Sequence, residues 1–131
     1  MGNSMSVLAL LKQRVNSHAT LVHRGRWVSL DFTLGVGETD YLVSVSRGEV
    51  SDVRERRLQT QSGKFSIRAS RESWDLHWLS IPPRDYHDVF AMLAKGLVKI
   101  DGNLVPLMQN LQYFKDLIGC LRQGEGVHDA G

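Results

Sequence analysis

The sequence is short of most features that announce chemistry. It has one cysteine, Cys120, in 131 residues. A lone cysteine excludes an intrachain disulfide and fits a reducing compartment such as the cytoplasm. Cys120 falls on an apolar helical pattern, which marks it as filler, because a reactive thiol needs an electropositive, partly exposed setting. No apolar run approaches the ~18–20 residues that cross a bilayer. Runs such as residues 7–11 are only a few residues long. No charged start leads into a long apolar stretch with a small-residue cleavage site, so no secretory signal is expected. The formal charge is only +2, too small to predict a nucleic-acid partner. The densest basic cluster, "RERR" at 54–57, lacks the interleaved aromatics of a single-strand binder. It reads as a solvated strand edge, where charge blocks unwanted pairing.

Catalytic signatures are equally scarce. Of His18, His23, His77, His87 and His128, no two are spaced as H-x-x-x-H or H-E-x-x-H. "YHD" at 86–88 sets a base beside a carboxylate. Neighbouring helical residues diverge by about 100°, so they form no dyad by themselves. There is no G-x-S-x-G elbow, P-loop or dinucleotide fingerprint. Gly35 and Gly37 make a G-x-G, but it joins two strand-like runs instead of opening a helix. Asp31 and Asp40 flank that turn as a polar-face residue and a turn residue. No catalytic residue, metal site or cofactor is expected, and the protein is not read as an enzyme. "MGNSMS" at the start fits a loose myristoylation pattern through Gly2 and Ser6. It reads better as an extension ahead of Met5, and residues 1–5 are expected to be disordered.

What is present is periodic. Apolar residues are 42% of the chain, enough for one core in one domain of this length. Leu8, Leu11, Val15, Ala19 and Val22 recur at helical steps, with Ser6 as the expected cap. Then the period drops to two. Val28, Leu30, Phe32 and Leu34 form one strand, and Tyr41, Val43 and Val45 the next. A charged run around 50–60 and "KFSIRAS" supply two more. Short turns between these four runs predict an antiparallel meander. The helical period returns at Ser70, a cap, with Trp74 and Trp78 four apart; Pro82 and Pro83 break it. Tyr86, Val89, Phe90 and Leu93 form another stripe, ended by Gly96. Residues 97–100 make a fifth strand, and Gly102 and Asn103 a turn. Asn103 is the expected cap of a last helix carrying Leu104, Leu107, Met108, Leu111, Phe114, Ile118 and Leu121. Residues 123–131 read as a disordered tail.

The segment from 85 to 118 resembles the C-terminal half of the sterol carrier protein 2 domain. The resemblance lies in a D-x-x-x-x-F/L lead-in, Asp85 to Phe90. It continues in G-x-L/V-x-I-x-G-D/N, met here by Gly96, Val98, Ile100, Gly102 and Asn103. A Leu- and Met-rich helix over residues 104–111 closes it. The wider match runs over about residues 6–122, by element order and length. Asn103 stands where aspartate is usual, which keeps a cap and loses a charge. The terminal "DAG" is no peroxisomal address, so the likeness is to the small bacterial members. The resemblance implies an α/β (α+β) fold: a five-stranded, mostly antiparallel sheet packed with four to five helices around an apolar tunnel. It implies noncovalent carriage of a fatty acyl, sterol-like or isoprenoid quinone-like ligand, since some bacterial relatives assist ubiquinone biosynthesis.

The expected lining comes from the last two helices and the first two strands. It comprises Leu30, Phe32, Leu34, Val43, Val45, Phe90, Leu93, Leu97, Leu104, Leu107, Met108, Leu111 and Phe114. Met92 and Met108 are adaptable gap fillers, and Phe90, Tyr113 and Phe114 offer ring faces. Arg24, Arg26, Arg47 and Arg84 lie near element ends, where they could meet a carboxylate or phosphate. An empty pocket of about 300 Å³ costs on the order of 7 kcal/mol, against a total stability of about 5–15 kcal/mol. The space is therefore expected to be filled by ligand or partly collapsed. Transient contact with a membrane surface fits a carrier. The alternative is an accessory protein in ubiquinone or lipid metabolism, docking a protein partner or a second copy through its amphipathic C-terminal helix.

Overall fold

The computed structural model describes residues 3–56 and 63–122. The elements run α1 (Asn3–Asn16), α2 (Ala19–Arg24), β1 (Leu30–Val36), β2 (Thr39–Ser46), β3 (Glu49–Glu55) and β4 (Phe65–Ala69). They continue with α3 (Arg71–His77), α4 (Val89–Ala94), β5 (Val98–Gly102), α5 (Val105–Gln109) and α6 (Leu111–Gly119). One five-stranded sheet has the order β3-β2-β1-β4-β5.

The meander is corrected in one step. β4 does not add to β3; it lies on the far side of β1 and runs parallel to it, with Leu34 opposite Ile67. The other three pairings are antiparallel. Burial explains the choice. Phe32, Thr33, Leu34, Gly35 and Val36 are buried in sequence, so β1 is covered on both faces and needs a neighbour on each side. β3 exposes Ser51, Asp52, Arg54 and Glu55 and stays at the edge, as its charge predicts. Asp40 ties the sheet together: the Arg68 fork donates to it at 3.1 and 3.0 Å, and Arg56 pairs with it at 3.0 Å. Its carboxylate holds the Arg68 guanidinium above its usual pKa, against the opposing effect of burial.

The first helix is two helices, and its start precedes Ser6, which lies inside α1. The break at residues 17–18 has a tertiary cause and a local cap. Asn16 turns its amide onto β3, accepting from Val50 N at 2.8 Å and donating to Val50 O at 2.9 Å. His18 then caps α2 through Nδ1, which accepts from Leu21 N. The interruption resets the phase, so Leu21 is buried and Ala19 is exposed. The β2–β3 hairpin turns on Arg47 and Gly48, both at positive φ (52° and 85°), the geometry of a two-residue primed turn. A side chain on Gly48 would collide with Val22 O and the Gly25 backbone, so the turn tucks under α2.

Ser70 caps α3 by accepting from Ser73 N at 3.0 Å. Trp74 and Trp78 stack with centroids 5.2 Å apart. The last helix also splits, at Asn110, whose φ of −127° leaves the helical range. Asn103 Oδ1 accepts from Val105 N at 3.2 Å, ahead of α5. The expected tail, 123–131, and residues 1–2 and 57–62 lie outside the described residues.

Candidate ligand-binding site

The thirteen residues expected to line a tunnel fall into three groups. Phe32, Leu34, Val43, Val45, Leu107 and Phe114 are in the core. Leu30, Phe90, Leu97 and Leu111 are half-buried and packed against it. Leu93, Leu104 and Met108 face outward, Met108 at 55% exposure. The single-helix phase assumed for residues 104–121 explains the last two. The break at Asn110 rotates α5 relative to α6, so Leu107 points in while Leu104, Val105 and Met108 share the outer side. On α4 the buried pair is Val89 and Met92, because the helix starts only at Val89, after Asp85 at φ 75°.

The core group fills its own space. Phe32 stacks on Phe65 at 5.3 Å, and Phe114 sets its edge against both, at 5.5 and 5.1 Å. Tyr113 packs on Phe114 and donates its hydroxyl to Gly48 O at 2.6 Å. Burial raises the Tyr113 pKa far above the ordinary phenol value. Trp74 and Trp78 place their N–H groups on Gly35 O and Ile118 O, at 2.8 and 3.0 Å. Here the side chains touch one another.

A large concavity lies on the other flank of α6. It holds about 930 Å³ between the α1–α2 corner, the 87–89 segment and α6, within the range of small-molecule pockets. Its lining is amphipathic. Leu21 and Val89, both core residues, give it an apolar part, with Ala19, Gly119 and half-buried Cys120 beside them. Four cations face it: Arg14, Arg24, Lys115 and Arg122. Two are matched. Arg24 pairs with Asp116, and Lys115 with Asp88 at 2.9 Å. Burial opposes ionisation of Asp88, but the bonds from Lys115 and from Phe90 N outweigh it and hold its pKa below the usual value. Arg14 and Arg122 form no ion pair with a described carboxylate. Arg14 donates to Cys120 O and Arg122 O, at 3.0 and 3.3 Å. Arg122 donates to His77 O and His87 O, at 3.2 and 3.3 Å.

His77 is the unusual member. It is 2% exposed, and its Nδ1 lies 2.7 Å from Tyr86 O. A carbonyl only accepts, so Nδ1 carries the proton and Nε2 is left as an acceptor. Nε2 is buried without a hydrogen-bond partner among the described residues, an arrangement that costs about 1–3 kcal/mol. Burial, the largest influence, lowers the His77 pKa, so the ring is neutral near pH 7.

The architecture has solved counterparts. A crystal structure of sterol carrier protein 2 superposes with a TM-score of 0.69, covering 90% of this chain and 95% of that one, at 14% identity. This chain has the sterol carrier protein 2 fold. A solution structure from Thermus thermophilus, of a conserved hypothetical protein described as possibly a sterol carrier protein, superposes at 0.64 with 12% identity over 92% and 89% of the two chains. A ubiquinone synthesis protein, UbiJ-SCP2, superposes at 0.56 with 15% identity over 91% and 94%. No protein-family model and no curated protein matches the sequence. The likeness is therefore one of architecture, and function has to be argued from the site.

On this sterol carrier fold the expected head-group arginines are mostly elsewhere. Only Arg24 reaches the groove. Arg26 donates to His23 O and lies over the exposed Trp27 ring; Arg47 is in the hairpin turn and Arg84 is on the surface. Sequence reasoning missed Arg14, His77, Lys115 and Arg122. Each looks like an ordinary helix-flank polar residue, and no spacing links residue 14 to residue 122. The "YHD" segment serves as a scaffold: Tyr86 O holds His77, His87 O holds Arg122, and Asp88 caps α4. Among the described residues no cluster of His, Cys, Asp and Glu could hold a metal ion. No described helix is long and apolar enough to cross a membrane.

Proposed function

We propose that this protein binds and carries a lipid-like amphiphile noncovalently: a fatty acyl, sterol-like or isoprenoid quinone-like molecule. The observation that carries the reading is the amphipathic groove on a sterol carrier fold. Leu21 and Val89 belong both to its wall and to the core, so an apolar tail entering between them meets the interior directly. Phe32, Leu34, Val43, Val45, Leu107 and Phe114 form the wall that tail would reach, with Leu30, Phe90, Leu97 and Leu111 at its margin. Leu93, Leu104 and Met108 belong to the outer surface.

Magnitudes set a chain-length threshold. Opening about 300 Å³ in a packed interior costs on the order of 7 kcal/mol. Each CH₂ buried returns about 0.8 kcal/mol, so a tail of roughly nine carbons is needed to offset the opening. Thermal unfolding with a series of straight-chain acids tests this. Hexanoate should leave Tm unchanged, and dodecanoate and longer acids should raise it by mass action. A flat response along the whole series would end the proposal.

A second reading, an accessory role with a protein partner, is favoured by one observation: Leu104, Val105 and Met108 stand together on the outside of α5. A ubiquinone synthesis protein shares the fold. The partner would meet α5, because α6 buries Tyr113, Phe114, Leu117 and Ile118 in its own core.

A further inference from the structure

We infer that the groove contains a head-group site for an organic anion with an adjacent hydroxyl, the anion meeting Arg14 and Arg122 and the hydroxyl meeting His77 Nε2. This rests on the amphiphile reading and names the chemistry at its polar end. The three residues form one contiguous group. Arg122 Nε is on His77 O, and Arg14 is on Arg122 O. They come from α1, the end of α3 and the residues after α6, so only the folded chain assembles them.

The groove's charge is the first argument. Four cations face two carboxylates, and both carboxylates are occupied, by Arg24 and Lys115. The remaining two guanidiniums donate to main-chain carbonyls, which supply dipoles but no neutralising charge. Each guanidinium has five N–H groups; Arg14 and Arg122 each direct two hydrogen bonds to the chain. The donors left over among the described residues suit the paired oxygens of a carboxylate or phosphate.

The second argument is independent of charge. His77 Nε2 is a buried acceptor with no partner among the described residues, and His77 is one of the residues that line the groove. Buried polar groups are nearly always satisfied, so such an atom marks a place where a donor belongs. An ionised carboxylate or a fully ionised phosphate has no proton to give. A hydroxyl beside the anion does. The Nδ1–H bond to Tyr86 O fixes the tautomer that makes Nε2 the acceptor.

The test uses the full chain and four twelve-carbon probes: dodecanol, dodecanoate, dodecyl phosphate and 2-hydroxydodecanoate. Affinities are read by calorimetric titration. At least one anion should bind about tenfold tighter than dodecanol, the scale of a charge-assisted hydrogen bond. Whether carboxylate or phosphate wins identifies the source of the anion. Converting both Arg14→Gln and Arg122→Gln should remove the preference, read as the ratio of anion to dodecanol affinity within each variant, whereas Arg14→Lys with Arg122→Lys, which keeps the charge and loses the fork, should keep part of it at matched Tm. 2-Hydroxydodecanoate should bind several-fold tighter than dodecanoate, a gain that His77→Phe abolishes. Equal affinity for dodecanol and both anions overturns the anion site and leaves the carrier reading standing. No gain from the 2-hydroxyl overturns the role of His77. No binding of any probe overturns this inference and the carrier reading together.

Discussion

On one flank of α6, Phe114 meets Phe32 and Phe65, and Tyr113, Leu117 and Ile118 fill the space around them. On the other flank, Gln112, Lys115, Asp116 and Gly119 face a groove of about 930 Å³. The same nine residues serve both regions, yet the two obey different physics. The inner flank is held by contact and loses stability in proportion to what is removed. The groove flank is held by ion pairs and carbonyl contacts; its leftover donors add little to folding, and its unpartnered acceptor, His77 Nε2, costs about 1–3 kcal/mol. Stability and recognition are thus separated by the width of one helix.

The largest effect should come from the inner flank. Phe114→Ala removes the ring that edges both partners and should cost about 3–5 kcal/mol in chemical denaturation. A loss under about 1 kcal/mol would show a core too loose for the contrast to hold. Gly25→Ala comes next. A methyl there collides with the Tyr113 ring, which is pinned by its bond to Gly48 O. Overpacking of this kind should cost about 1–3 kcal/mol, read as a lowered Tm.

The third prediction probes the boundary between the regions. Burial is the main cause of the lowered His77 pKa, with Arg122 and His87 also disfavouring its proton and Tyr86 O and Asp88 favouring it. The unfolded histidine takes up a proton near pH 6.5, while the folded one resists until lower pH. The folded state then binds fewer protons, so this contribution is intact above pH 6.5 and falls as the pH drops below it. One proton bounds the slope at about 1.4 kcal/mol per pH unit. His77→Phe should flatten it; an unchanged slope in the variant would assign it to other groups. On the groove flank, Asp116→Asn removes the partly exposed pair with Arg24 and should change stability by about 0–1 kcal/mol. Smallest of all, Met108→Ser on the outer side of α5 should stay within about 0.5 kcal/mol. A clear loss there would show that α5 covers apolar surface this state leaves open.

Local signals were readable where one physical term dominates. Ser70 caps α3, the charged β3 is an edge, and Gly96 and Gly102 turn at positive φ (76° and 102°), because capping, edge protection and backbone freedom are local properties. The interruptions at residues 17–18 and at Asn110 were not readable. The first depends on Asn16 reaching Val50, 34 positions away. Each missed break shifted a helical phase, and the shift at Asn110 put Leu104 and Met108 on the wrong side. β4 beside β1 was hidden for a related reason: short loops favour sequential pairing, and only burial on both faces of β1 overrides that.

The sequence by itself determined the alternation of elements, the apolar rows that build a core, and an outline similar to the sterol carrier domain. Periodicity acts over a few residues and needs no partner to be read. The tertiary structure alone decided that Arg14, His77 and Arg122 converge, that Nε2 of His77 is shut in without a donor among the described residues, and that the large hollow beside α6 is amphipathic. Those facts depend on chain segments separated by tens of residues arriving within hydrogen-bond distance, and such convergence is a property of packing.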